Sequence, residues 1–181
     1  KNNNNFDLLF VGRLVNSKKV DVLIKSIYII ANKFPEVKLN IVGEGPLKKT
    51  LIQMKQSLNL DDNVFFLGGV SSKEELYKIY KQSFLFVFSS LSEGNPRVIK
   101  EATFFNLPSV STRVGNLENE YENNKDIVFF DFNNEIDLAN EICKLYIDKK
   151  KYIKLKINLD QHKVVTVEDF VQTVFENFNK K

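Results

Sequence analysis

Two rhythms of apolar residues alternate along the chain. Short, mostly apolar runs at residues 6–11, 37–42, 64–67, 84–88, 109–111 and 127–130 read as strands, the one at 84–88 apolar throughout. Between them apolar residues fall at helical spacing, as in Val20, Leu23, Ile24, Ile27 and Tyr28. That spacing predicts helices over residues 18–34, 47–58, 95–105 and 136–147, with further ones over 149–159 and 167–178. Ser71 or Ser72, followed by Glu74 or Glu75, predicts a capped helix that runs to about Gln82. Gly12, Gly43-Glu44-Gly45-Pro46 and Gly68-Gly69 punctuate the ends of the first three strands. Strands apolar on both faces and separated by helices imply an α/β fold: a doubly wound parallel six-stranded sheet with helices on both faces. Such sheets hold ligands beyond the carboxyl ends of their strands, where the strand order reverses. The loops that follow the strands are therefore where chemistry is expected.

Composition narrows the field mainly by exclusion. The 181 residues are 43% hydrophobic, enough for one domain with a real core. Residues 1–5, an asparagine-rich run, suit a linker remnant, and residues 6–181 form the expected domain. Lys+Arg 26 against Asp+Glu 23 leaves a net charge of +3, too mild and too evenly spread to point to a nucleic-acid partner. One cysteine, Cys143, and one histidine, His162, supply neither a disulfide nor a metal cluster. A reducing, cytoplasmic setting fits, and no apolar run reaches the length of a membrane helix. The arginines are Arg13, Arg97 and Arg113, and two of the three fall in the loops singled out below.

Several familiar motifs are missing. Gly43 and Gly45 begin a G-x-G spacing, but Lys48 stands where the third glycine of a dinucleotide fingerprint belongs. No P-loop or G-x-S-x-G element occurs, and no two aspartates lie two apart to bind a catalytic metal. The strand ends do gather charge. Gly12-Arg13-Leu14, with Lys18 beyond, follows the first strand, and Ser89 to Arg97 follows the fourth, with Glu101 in the next helix. In the usual doubly wound order, strands one and four flank the reversal point.

Two cations and two carboxylates converging there suit a nucleoside diphosphate leaving group. Asn95 is expected to cap the helix and Pro96 to be its first residue. The amides of Asn95, Arg97 and Val98 would then meet an anion, favoured there by roughly 0.3–1 kcal/mol. Charge-assisted bonds from Arg13 or Lys18 would add roughly 1.5–3 kcal/mol each. Together these groups would neutralise a departing diphosphate with no metal. Glu101 is placed to accept the hydroxyls of a ribose. Glu93 is placed to meet the transferred sugar and favour the positive charge that develops on its ring. Each residue also has a plainer reading: Arg13, Lys18 and Glu93 as surface charges, and Glu101 paired with Arg97 at i,i+4. Their co-location in two adjacent loops favours the functional one.

With those residues in place, the sequence resembles the C-terminal domain of retaining GT-B glycosyltransferases of family 4. The resemblance covers residues 6 to 131. It is carried by Phe10-Val11-Gly12-Arg13-Leu14 with Lys18 and Asp21, by Ile41-Val42-Gly43-Glu44-Gly45-Pro46, and by Val64-Phe65-Phe66-Leu67-Gly68. The fourth segment is Ser92-Glu93-Gly94-Asn95-Pro96-Arg97-Val98-Ile99-Lys100-Glu101-Ala102, followed by Leu107-Pro108-Ser109-Val110. The resemblance implies that Arg13 and Lys18, at the turn made by Gly12, bind the diphosphate. Glu93 would contact the donor sugar and act catalytically, and Glu101 would hold the ribose. Amides around Asn95 and Arg97 would hold phosphate or sugar, and the main chain near Val70 would meet the base. It implies transfer with retention from a UDP- or GDP-linked sugar, with no cofactor or metal. An N-terminal acceptor domain, absent from the chain, would bind an acceptor glycan or lipid-linked sugar. The fragment alone is expected to be inactive, and the full-length protein to be cytoplasmic, with attachment to the inner face of the membrane open.

The sequence departs from the family at Lys19 and Asn106, where glycine is usual, and at the bulky Thr103-Phe104-Phe105. These departures motivate the alternative, a non-catalytic glycosyltransferase-like binding or scaffolding module. A receiver-type signalling domain fits poorly, because the first strand ends in Gly12-Arg13 rather than in acidic residues.

Overall fold

The computed structural model describes residues 6–160. Six parallel strands form one sheet in the order β3-β2-β1-β4-β5-β6. They are β1 Asp7–Val11, β2 Lys38–Val42, β3 Val64–Gly68, β4 Leu85–Phe88, β5 Ser109–Ser111 and β6 Val128–Phe129. The order runs outward from β1 in both directions, so it reverses between β1 and β4, which pair through Leu8 with Leu85 and Leu9 with Phe86. The expected doubly wound parallel sheet is therefore present, with the expected neighbours at its centre.

The helices are α1 Val20–Ala31, α2 Lys48–Ser57, α3 Lys73–Gln82, α4 Arg97–Phe104, α5 Leu117–Glu120 and α6 Glu135–Ile147. A further helix occupies residues 149–160. Right-handed crossovers put connections that run in opposite directions along the sheet on opposite faces. Accordingly α1 packs with α2 and α6, while α3 meets α4 through its tyrosines. Both faces are covered, so every residue of β4 is buried.

Local chemistry sets the helix boundaries. Ser72 caps α3: its Oγ accepts the Glu75 N–H at 3.3 Å and donates to Glu74 Oε2 at 2.7 Å, as the Ser-x-x-Glu spacing predicts. Asn134 caps α6 in the same way through the Asp137 N–H at 3.0 Å.

Two boundaries differ from the sequence reading. The helix expected from residue 18 is split into a 3-10 turn, Asn16–Lys18, and α1, because Lys19 takes a left-handed φ of 49°. The helix expected from Asn95 begins at Arg97. Pro96, not Asn95, is its N-cap, with an extended ψ of 93° and no side-chain capping bond. The short α5 carries too few apolar residues to register in the pattern. The linker at residues 1–5, the helix over 167–178 and His162 lie outside the described residues.

Candidate functional site

The site is assembled where the loops after β1 and β4 meet. Ser89 and Ser90 follow the apolar β4 and are buried, at 1% and 0% exposure. Buried hydroxyls need partners, and these reach across to the other loop. Ser89 Oγ donates to the carbonyls of Lys18 at 2.8 Å and Lys19 at 3.0 Å. Ser90 Oγ lies 3.0 Å from the Ser17 carbonyl, and the Leu91 N–H donates to that carbonyl at 2.7 Å. Thr112, past β5, donates to the Ser90 carbonyl at 2.7 Å. These side-chain bonds fix the two loops face to face. The sequence places Ser89 and Ser90 in the loop after the fourth strand but assigns them no role, although hydroxyls directly after an unbroken apolar strand are a usable signal.

The charged residues sit on this framework. Lys18 Nζ forms an ion pair with Glu93 Oε1, both side chains about one-fifth exposed, and lies 5.4 Å above the Phe88 ring. Ser90 Oγ also reaches Glu93 Oε1 at 3.0 Å. Lys18 and Glu93, 75 residues apart in sequence, are thus in direct contact. Arg13 and Arg97 are exposed, and neither enters an ion pair among the described residues. Asn95 is exposed beside the buried Pro96. With Pro96 as cap, the outward N–H groups of α4 are those of Arg97 and Val98, while the Ile99 N–H turns back to the Pro96 carbonyl at 3.0 Å.

Glu101 does not pair with Arg97. Its Oε2 accepts the hydroxyl of Tyr80 at 2.8 Å. Burial pushes the Glu101 carboxyl above the usual carboxylate range, against the lowering effects of the Tyr80 hydrogen bond and the Arg97 charge. Tyr80, almost wholly buried, is pushed up by burial and then by the Glu101 charge.

Glycines shape the backbone of the same edge. Gly43 has φ +140°, and a Cβ there would stand 1.9 Å from the Gly12 carbonyl oxygen. Gly12 and Gly43 therefore let the loops after β1 and β2 touch, joined by Gly12 N–H to Val42 O at 3.0 Å and Leu14 N–H to Glu44 O at 2.9 Å. Gly43-Glu44-Gly45-Pro46 is accounted for by this close approach. Gly115, with φ +60°, supports the Glu93–Gly94 backbone from behind; a Cβ there would lie 2.4 Å from the Gly94 oxygen. Gly94 is the contrary case, since a Cβ added to it would meet nothing within 4 Å. Val70, two residues beyond β3, packs on the core and leaves its main chain on the same edge of the sheet.

Among the described residues, no group of three or more His, Cys, Asp or Glu is placed to hold a metal ion. No helix among them is long and apolar enough to cross a membrane.

Comparison with known proteins agrees with the fold. The family model for glycosyl transferases group 1 matches residues 1–162. An uncharacterized glycosyltransferase of Methanocaldococcus jannaschii is 41% identical over 107 residues, which is 59% of this chain and 26% of the relative. The chain thus spans about a quarter of that protein's length. A mutant of S. aureus TarM, solved with fondaparinux, alpha-GlcNAc-glycerol and UDP, superposes with a TM-score of 0.82 at 24% identity. The match covers 98% of this chain and 36% of that one. The C-terminal domain of a group 1 glycosyl transferase from Francisella tularensis, LpcC, gives 0.79 at 19% identity, over 91% and 85% of the two chains.

Proposed function

The chain belongs to the glycosyl transferases group 1 family, and from that premise we propose that it is the donor-binding domain of a retaining enzyme of the family 4 type. It takes a nucleoside diphosphate sugar into the crevice between the loops after β1 and β4. The observation that carries the reading is the contact between Lys18 and Glu93 at the mouth of two tied loops, with Arg13 and Arg97 in no ion pair among the described residues. In a nucleotide sugar, the phosphate and the reacting sugar share one bond. The cation that holds the first and the carboxylate that meets the second must then be neighbours, as Lys18 and Glu93 are.

In this mechanism Arg13, Lys18 and the first N–H groups of α4 take up the charge of the departing diphosphate. Interactions that strengthen as charge develops lower the barrier, each typically by ~2.7–4 kcal/mol. The donor phosphate draws Lys18 from Glu93 and frees that carboxylate to face the sugar ring, where positive charge grows as the glycosidic bond breaks. Glu101 accepts hydroxyls of the ribose, and the main chain near Val70 meets the base. UDP is the first nucleotide to test, because the superposing TarM structure was solved with it; GDP is the second. The acceptor, a glycan or lipid-linked sugar, is bound by a further domain of the longer protein, as the matched share of its relatives suggests.

Calorimetric titration of the chain with UDP and GDP tests the reading. Saturable binding of at least one, weakened by Arg13→Ala, supports it. No heat from either, in a sample shown to be folded, contradicts it. Turnover assayed in the full-length protein separates an active enzyme from a non-catalytic module of the same fold.

A further inference from the structure

We propose that Tyr80 is a positioning residue that acts through Glu101, holding one carboxylate oxygen of that residue so that the other faces the ribose of the donor. This rests on the nucleotide-binding reading above and deepens it. Tyr80 lies on α3, at 1% exposure. Its ring stacks with Phe86, at 5.8 Å and 26°, and with Phe105, at 5.3 Å and 21°. Phe105 is braced in turn by Tyr77 at 5.0 Å. Held by two stacked rings, the phenol sends its O–H to Glu101 Oε2 at 2.8 Å.

A buried tyrosine hydroxyl requires a partner, but a backbone carbonyl would serve packing equally well. Here the partner is a carboxylate whose charged form burial disfavours. Glu101 is partly exposed, and its Oε1 takes no hydrogen bond among the described residues. One oxygen is fixed from within and the other is available. A flexible glutamate thereby loses its rotamer freedom at folding rather than at binding. The bulky Phe105, a departure from the small residues usual in the family, is one of the two rings stacked with Tyr80.

The test uses Tyr80→Phe, which keeps the ring stack and removes only the hydroxyl, and Glu101→Gln as a second variant. Dissociation constants for UDP and 2′,3′-dideoxy-UDP are measured by calorimetry for the chain and both variants; the guanosine pair is run in parallel. Tyr80→Phe is expected to weaken the ribose nucleotide by about 3- to 10-fold and to leave the dideoxy nucleotide unchanged. Glu101→Gln is expected to abolish the difference between the two ligands.

The ratio of the two affinities, which cancels titration of the diphosphate, adds a pH readout. The groups acting on Glu101 are Tyr80 from α3 and Arg97 from its own helix. Losing the Tyr80 donor removes a stabiliser of the ionised form, so the acid-side loss of discrimination moves to higher pH in Tyr80→Phe. Equal weakening of both nucleotides, or no change in either, would overturn the proposal and leave nucleotide binding intact. An unmodified chain that binds the ribose and dideoxy forms alike would do the same. An unmodified chain that binds no nucleotide at all brings down both readings.

Discussion

At the amino-terminal edge of the sheet, Phe6 stacks on Tyr146 at 3.6 Å and meets Phe34 and Phe84 edge-on at 5.9 and 5.7 Å. Tyr152 stacks on Phe84 at 4.4 Å and closes its hydroxyl onto the Phe84 carbonyl at 2.7 Å. At the carboxyl edge the corresponding positions are Gly12, Arg13, Ser89 and Ser90, with Lys18 and Glu93 above them. One end of β1 and β4 is sealed by aromatic rings. The other is held by hydroxyl-to-carbonyl bonds, and Arg13 and Arg97 enter no ion pair among the described residues. If the proposed nucleotide site is right, the contrast assigns stability and function to opposite ends of the same two strands. Ring contacts at the lower end bury apolar area, with the two tyrosine hydroxyls there satisfied by Glu36 and the Phe84 carbonyl. Polar bonds at the upper end contribute less each, but hold charged groups in place against their own desolvation.

Substitutions at each end should therefore separate the two properties. The largest effect is expected from Phe6→Ala, which empties the aromatic seal. Urea unfolding should show a loss of about 3–5 kcal/mol, while UDP affinity of the folded fraction stays unchanged. Arg13→Ala should do the reverse, weakening UDP by roughly 10- to 150-fold, the equivalent of ~1.5–3 kcal/mol, with unfolding shifted by less than about 0.5 kcal/mol. Gly94→Val sharpens the contrast further. Its Cβ meets no protein atom within 4 Å, so stability should hold while calorimetry records about tenfold weaker binding from crowding of the ligand. The smallest change is expected from Lys19→Gly, which relieves a left-handed backbone at φ 49°. It should raise stability by about 0.5–1 kcal/mol in the same urea assay.

How much of this was legible in the sequence follows from the range of each interaction. The strands are readable because burial in the sheet leaves short, mostly apolar runs, unbroken in β4 and interrupted by Asp7 in β1 and by Asn40 in β2, and their order follows from the rule for doubly wound sheets. The four charged positions were readable because each sits at a strand end or in the helix that follows. The contacts they make were not. The plainer reading of Glu101 pairs it with Arg97, its i,i+4 neighbour, yet its hydrogen-bond partner is Tyr80, 21 residues away on another helix. The Lys18–Glu93 pair spans 75 residues. Asn95 carries the better capping side chain, but the chain enters α4 with Pro96 extended and makes that residue the cap. The departures at Lys19 and Asn106 also make sense only in three dimensions. Both have positive φ, 49° and 55°, so they keep the backbone that glycine would supply. Thr103, bulkier than expected, meets the hydroxyl of Tyr121 at 3.2 Å.

The central claim is that the crevice between the loops after β1 and β4 is where a nucleoside diphosphate binds. Titrating UDP into isotopically labelled chain and following backbone amide chemical shifts tests it most directly. The account predicts saturable shifts clustered at residues 12–19 and 89–101 and still signals for Phe6, Phe34, Phe84 and Tyr146. Shifts centred on the aromatic end, or scattered without saturation, would contradict it.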